Sequence, residues 1–225
     1  LRGVQALANM ADILNVSVPV GKDSLSMKVN WKEGQSEHTV TSPMTLNISS
    51  FSNVNDLNKS VTPELSNSDT TLLHLWAHSD KYRLGGSALY QSFKLYGGAT
   101  PDIDDANQLK VLFEATQELL DKDFIEALHD ISDGGLITSL IEMALCSNQG
   151  LDINLDYSDK EQLVPKLFSE EIGLVIEVKN EKLESVRNYL NEKELFFENI
   201  AKKNDKKKIN INCFKEEVFS EDLNT

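Results

Sequence analysis

The stretch HDISDGGLITSLIEMAL, residues 129–145, sets Asp130, Ser132, Asp133, Gly134 and Gly135 side by side and then runs straight into an apolar helical pattern. Two kinds of chemistry suit that arrangement. In the plainer one, Asp133 caps a helix, Gly134 and Gly135 ease the turn, and nothing is bound. In the other, the stretch is half of a phosphate and metal site. A helix N-terminus offers free N–H donors and a partial positive charge, which attracts phosphate. Two aspartates at the same terminus repel that phosphate unless a cation lies between them. Mg²⁺ removes the conflict, because it takes carboxylate and phosphate oxygens together. Ser132 adds a hydroxyl, and Gly134 and Gly135 let the backbone come close. The residues alone leave both readings open.

Other candidates are weaker. VGKDS, residues 20–24, has the look of a phosphate loop, but the glycine required five residues before Gly21 is Val16. No HExxH, CxxC or GxGxxG occurs. Cys146 ends an apolar helix without an obvious basic partner, so it reads as structural rather than nucleophilic. His74 and His78 flank Trp76 on an apolar run, which suits a core or strand-end position better than metal ligation. KKNDKKK, residues 202–208, reads as a solvated loop.

The elements that must hold these residues are legible from periodicity. Val4, Leu7, Met10, Ala11 and Leu14 recur at helical spacing. A helix opening at residue 1, with no initiator Met, is read as part of something longer. SMKVNWK and EHTVTS around Gly34 predict a hairpin, and MTLNISSF a further alternating strand. The polar run from Asn53 to Asp69 is the best candidate linker. TLLHLWA (71–77) and LVIEV (174–178) have the continuous apolar character of buried strands. FIEALHD suits a short strand, and KININ a late strand before a polar tail. Residues 106–120 place Leu109, Leu112, Phe113, Thr116 and Leu120 on one helical face, and EKLESVRNYL is another helix. The ladders Leu136, Leu140, Ala144 and Ile137, Ile141, Leu145 make 136–145 the clearest helix in the chain. Mixed helices and strands give an α+β (α/β) fold class.

Composition limits what the site can serve. With 36 acidic against 22 basic residues, the net charge of −14 on the 225-residue chain argues against a surface whose task is to hold nucleic acid or anionic lipid. A phosphorylated ligand is compatible, held by backbone N–H groups and a divalent cation. Two cysteines without paired spacing suggest a reducing compartment, and no membrane-length apolar run or signal peptide is found. A cytoplasmic protein is expected.

PVGKDSLSMKVNW, HDISDGGLITSLIEMA and LFSEEIGLVIEV, in this order and over nearly the whole chain, resemble the large phosphoribosylformylglycinamidine synthases of bacterial purine biosynthesis. That resemblance implies the fold of aminoimidazole ribonucleotide (AIR) synthetase, selenophosphate synthetase and the hydrogenase maturation enzymes, an N-terminal-type domain joined to a C-terminal-type domain. The large synthases carry two such units in tandem and then a glutaminase. The chain is then expected to hold the end of the second N-type domain over 1–68 and the second C-type domain over 69–225. In such synthases the first Asp of the HDISDGG-like block is a Mg²⁺ ligand and the Ser touches nucleotide, which implies Asp130 as metal ligand and Ser132 at ATP or ADP. By the same resemblance Gly134 and Gly135 adjoin the nucleotide, and Gly21, Lys22, Asp23 and Ser24 lie near a ligand.

The implied reaction uses ATP to phosphorylate the amide oxygen of formylglycinamide ribonucleotide, after which ammonia from the glutaminase displaces phosphate. The glutaminase Cys, His and Glu and the upstream glycine-rich nucleotide loop are not in this sequence, so the resemblance implies that this chain alone does not make the amidine. The implied partners are nucleotide, the ribonucleotide substrate and the rest of the synthase. Two further readings stand: a scaffold that holds nucleotide without turnover, and another member of the AIR synthetase superfamily.

Overall fold

The computed structural model describes residues 2–22, 24, 27–43, 45–77, 81–155, 160–214 and 216–223. Two compact units are present, Leu1–Asn55 and Asp56–Thr225. His78 and Asp23 lie outside the described residues.

The first unit consists of α1 (Arg2–Leu14) and a two-stranded hairpin, β1 (Lys28–Glu33) with β2 (Ser36–Thr41). Gly34, at φ +63°, turns the hairpin, and Trp31 stacks on His38 across it at 5.1 Å. The helix and hairpin follow the sequence pattern, but the strand expected over 44–51 does not form among described residues 45–51. Alternation makes a strand only where a neighbour accepts its ladder of hydrogen bonds. No described residue of this unit is buried; Val4, Val29 and Leu46 are all more than half exposed. The apolar faces predicted from its sequence are therefore real as patterns but uncovered.

The second unit is built on a seven-stranded sheet in the order β4-β6-β3-β7-β5-β8-β9. Its strands are β3 (Thr70–Trp76), β4 (Ala127–Asp130), β5 (Gly150–Leu155), β6 (Gly173–Lys179), β7 (Phe196–Asn204), β8 (Lys208–Cys213) and β9 (Glu216–Asp222). All pairings are antiparallel except β5 with β8. The helices are α2 (Ala88–Ser92), α3 (Ala106–Asp121), α4 (Gly135–Ser147), α5 (Leu163–Phe168) and α6 (Leu183–Glu192). This is the mixed α/β fold expected.

The central strands are apolar on both faces because each face carries a core. Leu72 and Val175 pack with Leu136, Leu140 and Met143 of α4. Leu73, Leu75, Ile176 and Val178 pack with Leu112 and Leu119 of α3 and with Val186 and Leu190 of α6. On α3 the buried stripe is Leu109, Leu112, Ala115, Thr116 and Leu119, while Phe113 is half exposed. The small Ala115, not the bulky Phe113, fits the contact.

Three polar stretches are more ordered than their composition suggests. The far end of the 53–69 run is fastened to the second unit: Leu65 is buried, Leu65 N–H donates to Ser147 Oγ at 2.6 Å, and Ser66 N–H to Glu177 at 2.8 Å. KKNDKKK is not a free loop, since β7 runs to Asn204 and Lys203 pairs with buried Glu177 at 2.7 Å. The polar tail forms β9, whose charged residues suit an edge strand.

Candidate functional site

Asp130 ends β4, which among the described residues is an edge strand paired with β6. The chain then turns sharply: Ile131 N–H donates to Gly173 O at 2.9 Å, and Gly135 N–H to Ser132 O at 3.0 Å. Gly134 (φ +88°) and Gly135 (φ +75°) carry the turn in the left-handed region, which opens to glycine without penalty. α4 follows at once.

Asp133 is exposed and does not cap this helix. The cap position is Gly134, with no side-chain cap of its own. The carboxylate instead comes from Glu170, whose Oε1 accepts from Gly134 N–H and from Ala88 N–H at the start of α2, both at 2.8 Å. One acid therefore ties the starts of two helices to the segment before β6. Glu170→Ala is expected to lower stability by about 1–3 kcal/mol, the cost of leaving such donors unpaired. Urea unfolding measures it; a change within about 0.3 kcal/mol would mean that solvent replaces the carboxylate.

Asp130 and Ser132 face outward from the turn, the Asp130 side chain being 67% exposed. The Asp130 carbonyl is held from two sides, by Ser139 Oγ–H at 2.7 Å and by His129 Nδ1 at 2.8 Å. His129 Nδ1 also lies 3.3 Å from Asp130 Oδ1, and Nε2 lies 2.9 Å from Glu142 Oε2 of α4. Among the described residues no group of three or more His, Cys, Asp or Glu side chains is arranged to enclose a metal ion. A single outward carboxylate is nevertheless a donor set that suits Mg²⁺, which keeps several waters and takes one or two carboxylates together with phosphate oxygens.

Behind the turn lies a buried polar cluster that sequence reasoning missed. The Lys166 side chain is fully buried and pairs with Glu198, its ammonium 4.5 Å from the Trp76 ring centre and 5.0 Å from that of Tyr82. His74 Nδ1 approaches the same Glu198 at 3.3 Å. Burial alone would raise the Glu198 pKa, but the His74 hydrogen bond and the Lys166 charge outweigh it and hold the carboxyl below its ordinary value. Arg83 grips Glu171 with two bonds, 2.6 and 2.7 Å, and reaches Asp104 at 3.0 Å. His74, Trp76, Tyr82 and Lys166 line a small cleft with Ile131 of the turn. Adjacent acids ahead of a buried strand (Glu170, Glu171) and a lysine inside an apolar segment (Lys166) are the signals that could have pointed here.

Of the residues singled out from sequence, Asp130, Ser132, Gly134 and Gly135 come together in one turn. Gly21, Lys22 and Ser24 belong to the first unit, where all three are exposed and Lys22 Nζ donates to Ser24 Oγ. His74 sits in the core, as expected, and Cys146 is exposed on α4.

Residues 76–213 match the family model of the AIR synthase related protein, C-terminal domain. The chain belongs to the AIR synthase-related family. Residues 1–53 match a second model, the FGAR-AT PurM_N-like domain. Among solved structures, this family member is similar to Thermotoga maritima PurL complexed with ATP, at 13% identity and a TM-score of 0.68 over 98% of this chain and 34% of that one. It is similar to T. maritima PurL complexed with FGAR, at 14% identity and a TM-score of 0.67 over 98% of this chain and 36% of that one. It also resembles a chain of T. maritima PurLQS, at 14% identity and a TM-score of 0.59, covering 83% of this chain and 28% of that one. At such identities the likeness is one of fold. The AIR synthase-related chain spans about a third of the length of the PurL chains. Among its described residues no helix is long and apolar enough to cross a membrane.

Proposed function

We propose that this chain is part of a phosphoribosylformylglycinamidine synthase, an ATP-dependent, C–N bond-forming ligase of purine biosynthesis, and that it contributes to a nucleotide and Mg²⁺ site. The observation that carries the reading is the order of the two family matches, an FGAR-AT-type N-domain segment followed by an AIR synthase C-type domain. Nucleotide binding is supported by similarity to PurL structures complexed with ATP and ADP. Formylglycinamide ribonucleotide as substrate, and a glutaminase as partner, are proposed on the likeness to PurL complexed with FGAR and to PurLQS. The domain limits 1–68 and 69–225 and a cytoplasmic location belong to the same proposal.

Within it, Asp130 offers its outward carboxylate to the metal and Ser132 its hydroxyl to nucleotide. The left-handed turn at Gly134 and Gly135 brings the backbone alongside; Gly21, Lys22, Asp23 and Ser24 of the first unit are proposed to lie near a ligand. Bound Mg²⁺ would neutralise charge on the phosphates. The chain's own task is to present oxygen ligands rigidly and to keep its other acids away from the anion. Glu170 does the latter, because its carboxylate is spent on Gly134 and Ala88 N–H.

The test is Asp130→Asn in the full-length protein. Nucleotide released on denaturation should fall, and the melting temperature with it, since a bound ligand contributes RT ln(1 + [L]/Kd), about 2.7 kcal/mol at a hundredfold excess over Kd. Unchanged nucleotide content and melting would leave Asp130 as a strand-end residue only.

A further inference from the structure

We propose that Glu142 and His129 are positioning residues for Asp130, a relay that holds the proposed metal ligand in its outward conformation. The inference rests on the reading of Asp130 as a metal ligand. It begins with strand alternation: His129 pairs directly with Val175, which packs in the same core as α4, whereas its neighbour Leu128 pairs with Ile176 of the opposite core. The imidazole is thereby carried to the α4 face of the sheet edge. On α4, Ser139 and Glu142 are three residues apart and so share a face. Both act on Asp130. Ser139 binds its carbonyl directly at 2.7 Å, and Glu142 binds His129 Nε2 at 2.9 Å, while His129 Nδ1 meets the same carbonyl at 2.8 Å and the carboxylate at 3.3 Å.

The ring is shielded, its side chain 16% exposed, between two acids that are 67% and 53% exposed. Each ring nitrogen lies close to an oxygen, so ring rotation would disrupt a contact on either side. Ser139 Oγ–H donates to the Asp130 carbonyl, and His129 Nδ1 lies against the same oxygen. The backbone of Asp130 is thus fixed, and one carboxylate oxygen is steadied by the ring while the other is free for a ligand. Glu142 has no part in the metal's own coordination in this arrangement; it acts through His129, as carboxylates behind ligand-orienting groups do.

The experiment measures Mn²⁺ affinity of the ADP-saturated full-length protein, read from the electron paramagnetic resonance signal of unbound Mn²⁺. Glu142→Ala and His129→Ala should each weaken Mn²⁺ binding by about 10- to 100-fold, the usual effect of removing such support. Glu142→Gln, whose side-chain amide can still pair with His129 Nε2, should stay within about threefold of wild type, a rescue that mere loss of packing would not give. Melting of the two alanine variants checks that folding is kept. Mn²⁺ binding as tight as wild type in both alanine variants, with Asp130→Asn having lost it, would overturn the relay and leave the metal reading intact. Wild-type binding in Asp130→Asn would overturn the metal reading, and the relay with it.

Discussion

Glu177→Ala is expected to remove about 3–5 kcal/mol of the second unit's stability, the range for stripping one partner from a buried ion pair. Glu177 is fully buried on β6, and its carboxylate collects Ser66 N–H at 2.8 Å, Thr70 Oγ1–H at 2.6 Å and Lys203 Nζ at 2.7 Å. Lys203 in turn also donates to the carbonyls of Ser66 and Ser68. One acid therefore fastens the approach to β3 against β6 and β7 and neutralises the Lys203 charge beside it. Without it, a largely shielded ammonium and two donors lose their acceptor together. The double variant Glu177→Leu with Lys203→Met should recover most of the loss, because no charge is then left in an apolar setting. Urea unfolding of both variants is the measurement. A loss under about 1 kcal/mol for Glu177→Ala would show that water reaches Lys203 and that the pair is not shielded.

That cluster also marks where sequence reading stops. α4 was legible because its apolar residues form ladders four apart, and β3 and β6 because strands covered on both faces are apolar throughout. β7 was not: in FFENIAKKN only Ile200 and Ala201 are buried, and a register shift opposite Leu72 and Leu73 breaks its alternation. β5 was missed although Leu151, Ile153 and Leu155 alternate with Asp152 and Asn154, the pattern of a half-buried strand, whereas β9 is an edge strand without any buried residue. Burial of Glu177, Lys166 and Glu171 had no periodic signature, because a charge is buried by virtue of its partners, and those lie from 26 to 111 residues away in the case of Glu177. In the turn itself the residues Asp130, Ser132, Gly134 and Gly135 were legible as a group. The supplier of the helix cap was not, since Glu170 stands 36 residues from Gly134 while Asp133 is its neighbour.

Gly135→Ala is expected to be the most damaging small substitution in the turn, at about 2–5 kcal/mol. Two costs combine. A left-handed backbone at φ +75° costs an L-residue about 1–2 kcal/mol, and overpacking adds typically 1–3 kcal/mol. The added Cβ would stand 2.7 Å from the Phe168 carbonyl carbon, 2.7 Å from Ser169 O and 2.9 Å from Leu167 O. These are backbone atoms at the end of α5, which cannot swing aside as a side chain would. Gly134→Ala makes the useful contrast: there the nearest obstacle is the Thr138 hydroxyl, at the end of a side chain, so adding Thr138→Ala should remove that clash and lower the cost, leaving the backbone strain and a tight Cβ–Cβ contact at 3.0 Å. The argument separates two roles for the glycines. If Gly135 is required because α5 packs against the start of α4, stability and nucleotide content of the full-length protein should fall together, since displacing Ser169 also pulls Glu170 from Gly134 N–H. Thermal melting and nucleotide released on denaturation report the two quantities. Nucleotide lost at an unchanged melting temperature would mean that the position is kept open for the ligand, and that the close approach of the Phe168–Ser169 backbone yields without cost.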